Sequence, residues 1–390
     1  MIAEYTVRIA EKGIALPEYL HPERRPEVGT RNDLDYEIKR FSLQQHLAVL
    51  SLPDAIKYLH AQQTDVGQIV DDLSLVRYFQ AAGPGNTYFM GQYNPTRAKR
   101  MAGAGRQKPP AGVETIKTPL PNCYLCTDNV RWQQRGVQLY YQIELNGHQY
   151  NILCNPFPFM PIHVTVAADE HEPQSWHKNI NWKEGGKVDK VERLASDLYE
   201  LARQLPEFVC FYNGVGAGAS IEEHFHYQAF RPNFSHGLFP LQKVAADKAI
   251  RRNAKMGMRG QVDVIDLDDD DYPTIAFRLS GERQAVINTV VEWVKRWSDL
   301  IGEDASANIT TIWEDKALSL YLVPRNKSFS RSVGLTGIVG GLEALGEFIF
   351  CTEDENQQIN AGMIGYQRMY DILRGIRPPN IDRLTSGYGR

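Results

Sequence analysis

Several things are scarce in this chain. Five cysteines (Cys123, Cys126, Cys154, Cys210 and Cys351) in 390 residues are too few, and odd in number, for a disulfide scaffold. Charge of neither sign dominates: 43 Lys and Arg stand against 47 Asp and Glu. That balance excludes a chain-wide attraction to nucleic acid or to an anionic membrane, so any phosphate site has to be built locally. Long apolar runs are missing too. The longest stretch, 333–351, is broken by Glu343, Glu347 and five glycines, which argues against a membrane span. Residues 1–19 mix Glu4, Arg8, Glu11 and Lys12 among the apolar positions, unlike the apolar core of a secretory signal. A cytoplasmic protein is expected. With 43% hydrophobic residues the chain can build a large core, in two or three domains or in one pseudo-duplicated unit.

Within that frame the pattern changes along the chain. Residues 1–90 carry helix-forming stretches at 42–50 and 55–62 without an active motif, and read as an N-terminal elaboration with a lid or oligomerisation role. Residues 91–121 are rich in Gly, Pro, Lys and Arg, the composition of a long basic loop. Alternating runs at 137–143 and 162–166, with Asn146-Gly147 as a turn, predict an antiparallel sheet. Val191, Leu194, Ala195, Leu198, Leu201 and Leu205 recur at three- and four-residue steps, which predicts an amphipathic helix over 187–205. A strand at 208–212, a glycine loop at 214–218 and a strand at 225–230 follow. The acidic run 266–271 reads as a solvated linker. Beyond it, Val286 to Trp297 predicts a second amphipathic helix, and 309–313 with 317–323 a hairpin. The expected fold is α+β, with boundaries at 1–90, 91–245 for a first half and 246–390 for a second half that lacks a His-x-His of its own.

The chemistry gathers in His224-Phe225-His226-Tyr227-Gln228. On a strand, residues two apart face the same side, so two imidazoles and an amide would share one face. A neutral imidazole can attack phosphorus and form a phosphoramidate that passes its nucleotide on. Just upstream, Gly214-Val215-Gly216-Ala217-Gly218-Ala219-Ser220 offers backbone N–H groups and a hydroxyl to phosphate oxygens, and phosphoryl-type catalysis is mostly positioning and electrostatics. Two ordinary half-buried strand histidines are the alternative. The spacing does not say which imidazole attacks. Cys123-Tyr124-Leu125-Cys126 has the spacing of half a zinc site. No second Cys-x-x-Cys exists, so His171 and His224 are the best placed remaining ligands, with a redox pair as the alternative.

These motifs, with Tyr93-Asn94-Pro95 and the basic residues after it, and with Asn213 ahead of the glycine loop, resemble one branch of the histidine triad superfamily. The branch contains galactose-1-phosphate uridylyltransferase, diadenosine tetraphosphate phosphorylase and GDP-hexose phosphorylases. The resemblance runs over about 91–231, with Asn308 and 318–325 less specifically similar to the branch's second half. It implies a pseudo-duplicated fold of antiparallel sheets flanked by helices. It implies His226 as the nucleophile and Cys123, Cys126, His171 and His224 as ligands of a structural zinc. Gln228 would hold a phosphate oxygen; without a titrating nitrogen it suits transfer better than hydrolysis. Ser220 joins the catalytic set, and Asn94, Arg97, Arg100, Asn213, Gly216 and Gly218 the substrate-binding set, with Lys99, Arg325 and Lys327 as further phosphate-clamp candidates. The implied activity is nucleotidyl transfer or phosphorolysis of a nucleoside diphosphate sugar or dinucleoside polyphosphate, with phosphate or a sugar phosphate as acceptor. A homodimer is compatible with this, and no nucleic-acid or membrane partner is expected. A nucleotide-conjugate hydrolase and a non-catalytic nucleotide-binding protein are the alternatives. Phe225 and Tyr227 stand where the uridylyltransferases commonly have prolines, which makes the motif closer to the GDP-hexose phosphorylases; the Cys pair is closer to the uridylyltransferases.

Overall fold

A computed structural model describes residues 31–69, 73–98, 123, 125–130, 138–177, 190–233, 237–251, 262–268, 270–314, 317–329 and 339–385. Among the described residues nine strands form the main sheet: β3 (Tyr140–Leu145), β4 (His148–Cys154), β5 (Val164–Ala168), β6 (Val209–Asn213), β7 (His226–Phe230), β8 (Val262–Leu267), β9 (Ala276–Gly281), β10 (Ala305–Glu314) and β11 (Ala317–Asn326). Their spatial order is β3-β4-β5-β7-β6-β10-β11-β9-β8, and every pairing is antiparallel. A smaller sheet joins β1 (Arg77–Ala82), β2 (Tyr88–Tyr93) and, parallel to β2, β12 (Glu347–Phe350).

The expected α+β class and its pseudo-duplication are both present. Helix α4 (Lys190–Gln204) follows β5 and leads into the β6–β7 pair; α6 (Arg283–Ile301) follows β9 and leads into β10–β11. The inner strands β6 and β10 then pair with each other at the centre of the sheet. Both helices form because their apolar residues fall on one stripe. In α4 this stripe is Val191, Leu194, Ala195, Leu198, Leu201 and Ala202, and in α6 it is Val286, Ile287, Val290, Trp293, Val294 and Trp297, all buried. The two stripes lie together on one face of the sheet with Tyr212, Tyr227 and Ile309. Each large side chain buried in this way contributes about 1.5–3 kcal/mol, and cutting Leu198 to Ala would cost about 2–5 kcal/mol. Helix α4 stops just before Leu205-Pro206, as a proline requires. The turn between β3 and β4 is the expected Asn146-Gly147, with φ of 48° and 86°. Positive φ at both central residues is the two-residue hairpin geometry that Asn-Gly accepts readily.

The N-terminal segment folds as α1 (Arg31–Gln44) and α2 (Leu52–Asp65), the latter capped by Ser51 accepting from the Asp54 N–H at 3.3 Å. These helices cover β3, the edge of the large sheet. Gln44 donates to the Gln142 carbonyl at 2.7 Å and accepts its N–H at 2.9 Å, replacing the missing neighbouring strand. Two expectations need correction. The described part of the acidic run is not a free linker: Asp266 and Leu267 end β8 and pair with β9, the Asp268 carbonyl accepts the N–H groups of Asp271 and Tyr272, and Asp271 pairs with buried Lys248. The basic loop begins later than expected, because 91–93 belong to β2. Among the described residues no helix is long and apolar enough to cross a membrane.

Candidate active site

Register and the two-residue period decide which side chains meet. Gln228 lies opposite Thr165 and Phe211, and His226 opposite Ala167; Asn213 lies opposite Asn308. Directly opposed residues share a face, so His226, Gln228, Asn213 and Asn308 all look away from the α4 and α6 side. On that second face a cluster containing Phe159, Phe211 and Phe230 packs against α5 (Pro240–Arg251), α7 (Gly341–Ala344), β12 and α9 (Tyr366–Gly375).

A pocket opens in this face. Its walls include Arg97, Asn213, Gly218, Ser220 and Gln228, five of the residues singled out from the sequence, together with Glu343. Gln228 is oriented by a residue that pattern reading missed: buried His163 donates from Nε2 to Gln228 Oε1 at 2.9 Å, which turns the amide NH2 group away from His163 as a donor. Arg97 lies over the Phe159 ring, 5.0 Å from its centroid, and donates to the Phe157 carbonyl at 2.6 Å. Glu343 is half-buried, and desolvation pushes its carboxyl above the usual range despite a hydrogen bond from the Gly340 N–H.

His226 stands two residues before Gln228 on the same face, 3% exposed. Its Nδ1 is 2.8 Å from the His224 carbonyl oxygen. A carbonyl only accepts, so Nδ1 carries the proton, and in the neutral ring the lone pair is on Nε2. This is the tautomer an imidazole nucleophile needs.

His224 itself turns toward the cysteines. Its Nε2 donates to the Ala168 carbonyl at 2.7 Å, which leaves the Nδ1 lone pair 3.4 Å from Cys123 Sγ and 3.6 Å from Cys126 Sγ. His171 Nδ1 lies 3.1 Å from Cys126 Sγ. The four ligand atoms are all within 4.8 Å of one another, and the group can hold a metal ion. The second-nitrogen hydrogen bond of His224 to a carbonyl is the arrangement that fixes a ligating imidazole. The Cys126 hydrogen bond, opposed by burial and helped by His224, brings the Cys123 thiol down to about 3, the thiolate state a metal requires. Leu125 and Val130 seat this knuckle on Tyr140, Leu153 and Ala167, next to the His226 strand.

The glycine loop differs from its expected role. The N–H of Gly214 goes to the Ala307 carbonyl, that of Ala217 to the Gly214 carbonyl, and that of Gly216 to the Glu222 carboxylate at 3.0 Å. Gly216 therefore does not offer an open phosphate donor in this state; the loop reaches the pocket through Gly218 and Ser220. Gly218 has φ +99°, and a Cβ there would meet the Gly340 backbone at 2.4 Å, so only glycine fits. Asn94 does not line the pocket either. It is buried and ties Pro158 and Phe350 together through its side-chain amide and its N–H. Arg325 is fully buried, donating to Asn308 Oδ1 at 2.6 Å and to the Val339 carbonyl at 2.9 Å; burial lowers its pKa to about 10. It is a strut behind the site and not a clamp on substrate. Lys327 packs along Gly216. Lys99 and Arg100 lie outside the described residues.

Asn308 passes the support on. It donates to Asn213 Oδ1 at 2.9 Å and to the Ala217 carbonyl at 2.6 Å, and Asn213 Oδ1 also accepts the Gly341 N–H at 2.9 Å. The second half of the sheet thus holds the loop and the pocket floor of the first.

Residues 62–231 match a family model described as a domain of unknown function, DUF4922. No curated protein matches the chain by sequence. In three dimensions the chain is similar to yeast Ap4A phosphorylase in complex with AMP, at 15% identity and a TM-score of 0.52, over 85% of this chain and 98% of that one. It is similarly close to the same yeast enzyme in complex with Ap4A, at 15% identity and a TM-score of 0.51, over 82% and 96%. These matches show that the chain shares the fold of yeast Ap4A phosphorylase.

Proposed function

We propose that this protein transfers a nucleoside monophosphate through a covalent intermediate on His226. The observation that carries the reading is the His226 ring, held by the His224 carbonyl with its lone pair on Nε2, on the same face as a pocket that collects Arg97, Ser220 and Gln228. His226 Nε2 attacks the phosphorus of a nucleoside diphosphate sugar or dinucleoside polyphosphate, forming a P–N bond as the bond to the leaving phosphate oxygen breaks. Ser220, the Gln228 amide and the Arg97 guanidinium stabilise the charge on the phosphoryl oxygens. A phosphate or sugar phosphate then takes the nucleotide from His226. Glu343 gives the pocket a carboxyl group that can hydrogen-bond hydroxyls, so that part of the pocket suits a sugar. Yeast Ap4A phosphorylase, the protein similar in fold, has been captured with AMP and with Ap4A; Ap4A belongs to the proposed substrate class, and AMP is a nucleoside monophosphate of the kind to be transferred.

The ligand set of two thiolates and two neutral imidazoles fits zinc in a closed tetrahedral site. Cys123, Cys126, His171 and His224 would hold it, and its contribution is structural: it would pin the segment before β7 to β5.

The test is intact-protein mass after incubation with Ap4A and with UDP- and GDP-hexoses, quenched at alkaline pH where a phosphoramidate survives. A gain of one nucleoside monophosphate, absent in His226→Ala, is expected. Binding of nucleotides without any adduct would sink the covalent mechanism.

A further inference from the structure

The ladder between β6 and β7 stops early. Val209 pairs with Phe230, Cys210 with Ala229 and Phe211 with Gln228; continued in that register, Tyr212 would face Tyr227 and Asn213 would face His226. At that last position the strands are bridged by a side chain. Gln174, fully buried, donates from Nε2 to the Asn213 carbonyl at 2.8 Å and to the His226 carbonyl at 3.0 Å, and its Oε1 accepts the His226 N–H at 2.7 Å. One side-chain amide therefore satisfies both backbone groups that His226 turns toward β6, as a peptide unit of a neighbouring strand would. On the other side of β7 the backbone is held conventionally, with the Phe225 carbonyl accepting the Ala168 N–H at 2.9 Å.

Gln174 is itself anchored on several sides. Its N–H goes to the Glu222 carbonyl at 3.0 Å, and its carbonyl accepts the Tyr212 hydroxyl. Two residues earlier, Glu172 pairs with Arg193 on α4 at 2.5 Å and with Lys190 at 3.5 Å, while its carbonyl accepts the Phe225 N–H. The wedge is thus buried and hydrogen-bonded through both its side chain and its backbone, as a satisfied buried amide requires.

We infer that Gln174 is a positioning residue for the reaction: it holds β6 and β7 apart at His226 and sets the position of the imidazole on the sheet face that carries the pocket. The inference rests on the nucleotidyl-transfer reading given above. Its physical basis is that in-line attack needs reacting atoms within about 3–3.5 Å, and a shift of about 1 Å can cost about 100-fold in rate. Closing the ladder, or leaving the His226 backbone groups to find other partners, would move the ring while leaving Arg97, Ser220 and the Gln228 amide able to bind.

The test compares the wild-type protein, Gln174→Leu and Gln174→Glu, using the donor among Ap4A, UDP-hexose and GDP-hexose that labels the wild type best. Single-turnover labelling and its dependence on donor concentration separate rate from affinity. Hydrogen exchange of the His226 amide reports the wedge without any chemistry. Expected for Gln174→Leu are a 10- to 100-fold slower labelling rate, a half-saturating donor concentration within threefold of wild type, and lost protection of the His226 amide with Ala229 and Phe230 still protected. Gln174→Glu, which keeps an acceptor for the His226 N–H, should retain protection of that amide and fall between the two in rate. Labelling at the wild-type rate in a folded Gln174→Leu, or slower labelling explained wholly by weaker binding, would overturn the inference while leaving the transfer reading intact. Absence of label on the wild type with every donor would instead remove the transfer reading, and the positioning role with it.

Discussion

The two central hairpins of the large sheet are built from corresponding elements but are closed to different extents. The β10–β11 pair runs unbroken for ten residue pairs, from Ala305↔Asn326 to Glu314↔Ala317. The β6–β7 pair has three, and the space beyond them holds Gln174, the glycine loop and the proposed nucleophile. A complete ladder satisfies every backbone group and fixes its side chains, which suits a support. An incomplete one leaves backbone groups that loops and side chains must satisfy, and those substitutes can aim a reactive ring. The closed hairpin supplies Asn308 and Arg325 as props; the open one supplies His226, Gln228 and Ser220.

The largest expected effect breaks the open hairpin's chemistry: His226→Ala should lose the nucleotide adduct altogether, with nucleotide binding retained, as read by mass and by calorimetry. Next, on the closed side, Arg325→Met removes the buried donor to Asn308 and should cost about 1–3 kcal/mol, read as a lower denaturation midpoint with slower labelling. Should labelling slow with stability unchanged, Arg325 would belong to the chemistry and the division of labour between hairpins would fail. The small sheet sharpens the comparison from outside both hairpins. Burial raises Glu347 to about 7, against the hydrogen bond from Gln92 that lowers it. A carboxyl raised in the native state adds stability that is full below its unfolded value near 4.5 and is lost as pH rises through about 7. Linkage sets the loss at about 3 kcal/mol, and Glu347→Gln should flatten that slope in urea melts between pH 4.5 and 7. Smaller still, Ser220→Ala should slow labelling about 10- to 100-fold, below the cost of losing a full oxyanion donor. The smallest effect is Lys57→Ala, which removes the half-exposed pair with Glu207 at 3.1 Å and should change stability by less than about 1 kcal/mol.

Much of this architecture could be read before folding, and the pattern of what could not is physical. Helices α4 and α6, the Asn146-Gly147 turn and the β10–β11 hairpin follow from local periodicity and turn chemistry, which lie within a few residues of each other. His226, Gln228 and Ser220 lie in one nearly contiguous motif, whereas Cys123 and His224 are 101 residues apart and the ligand set follows from the family resemblance. Gln174 had no such signal: its contacts with His226 span 52 residues, and a glutamine in an irregular segment looks like any loop residue. His163 was hidden for a similar reason, since it precedes a strand whose alternation accounts for it without a role. Gly216 and Asn94 show the opposite case, with their hydrogen bonds made inside the fold. A glycine loop advertises open N–H groups, yet an internal carboxylate takes one of them, and an asparagine beside a proline resembles a ligand when it is a tie between segments.

The seam between β6 and β10 is only four residue pairs long, and it bears on solubility as well as on catalysis. A sheet edge with unsatisfied backbone groups is a template for adding strands from other molecules. In the intact chain the outer strand β3 is masked by the Gln44 side chain, and β6 and β10 mask each other. Divided between β7 and β8, each fragment would carry a bare inner edge and expose the paired stripes of α4 and α6, so neither piece should survive alone as a dispersed monomer, and co-expression of the two should rescue both.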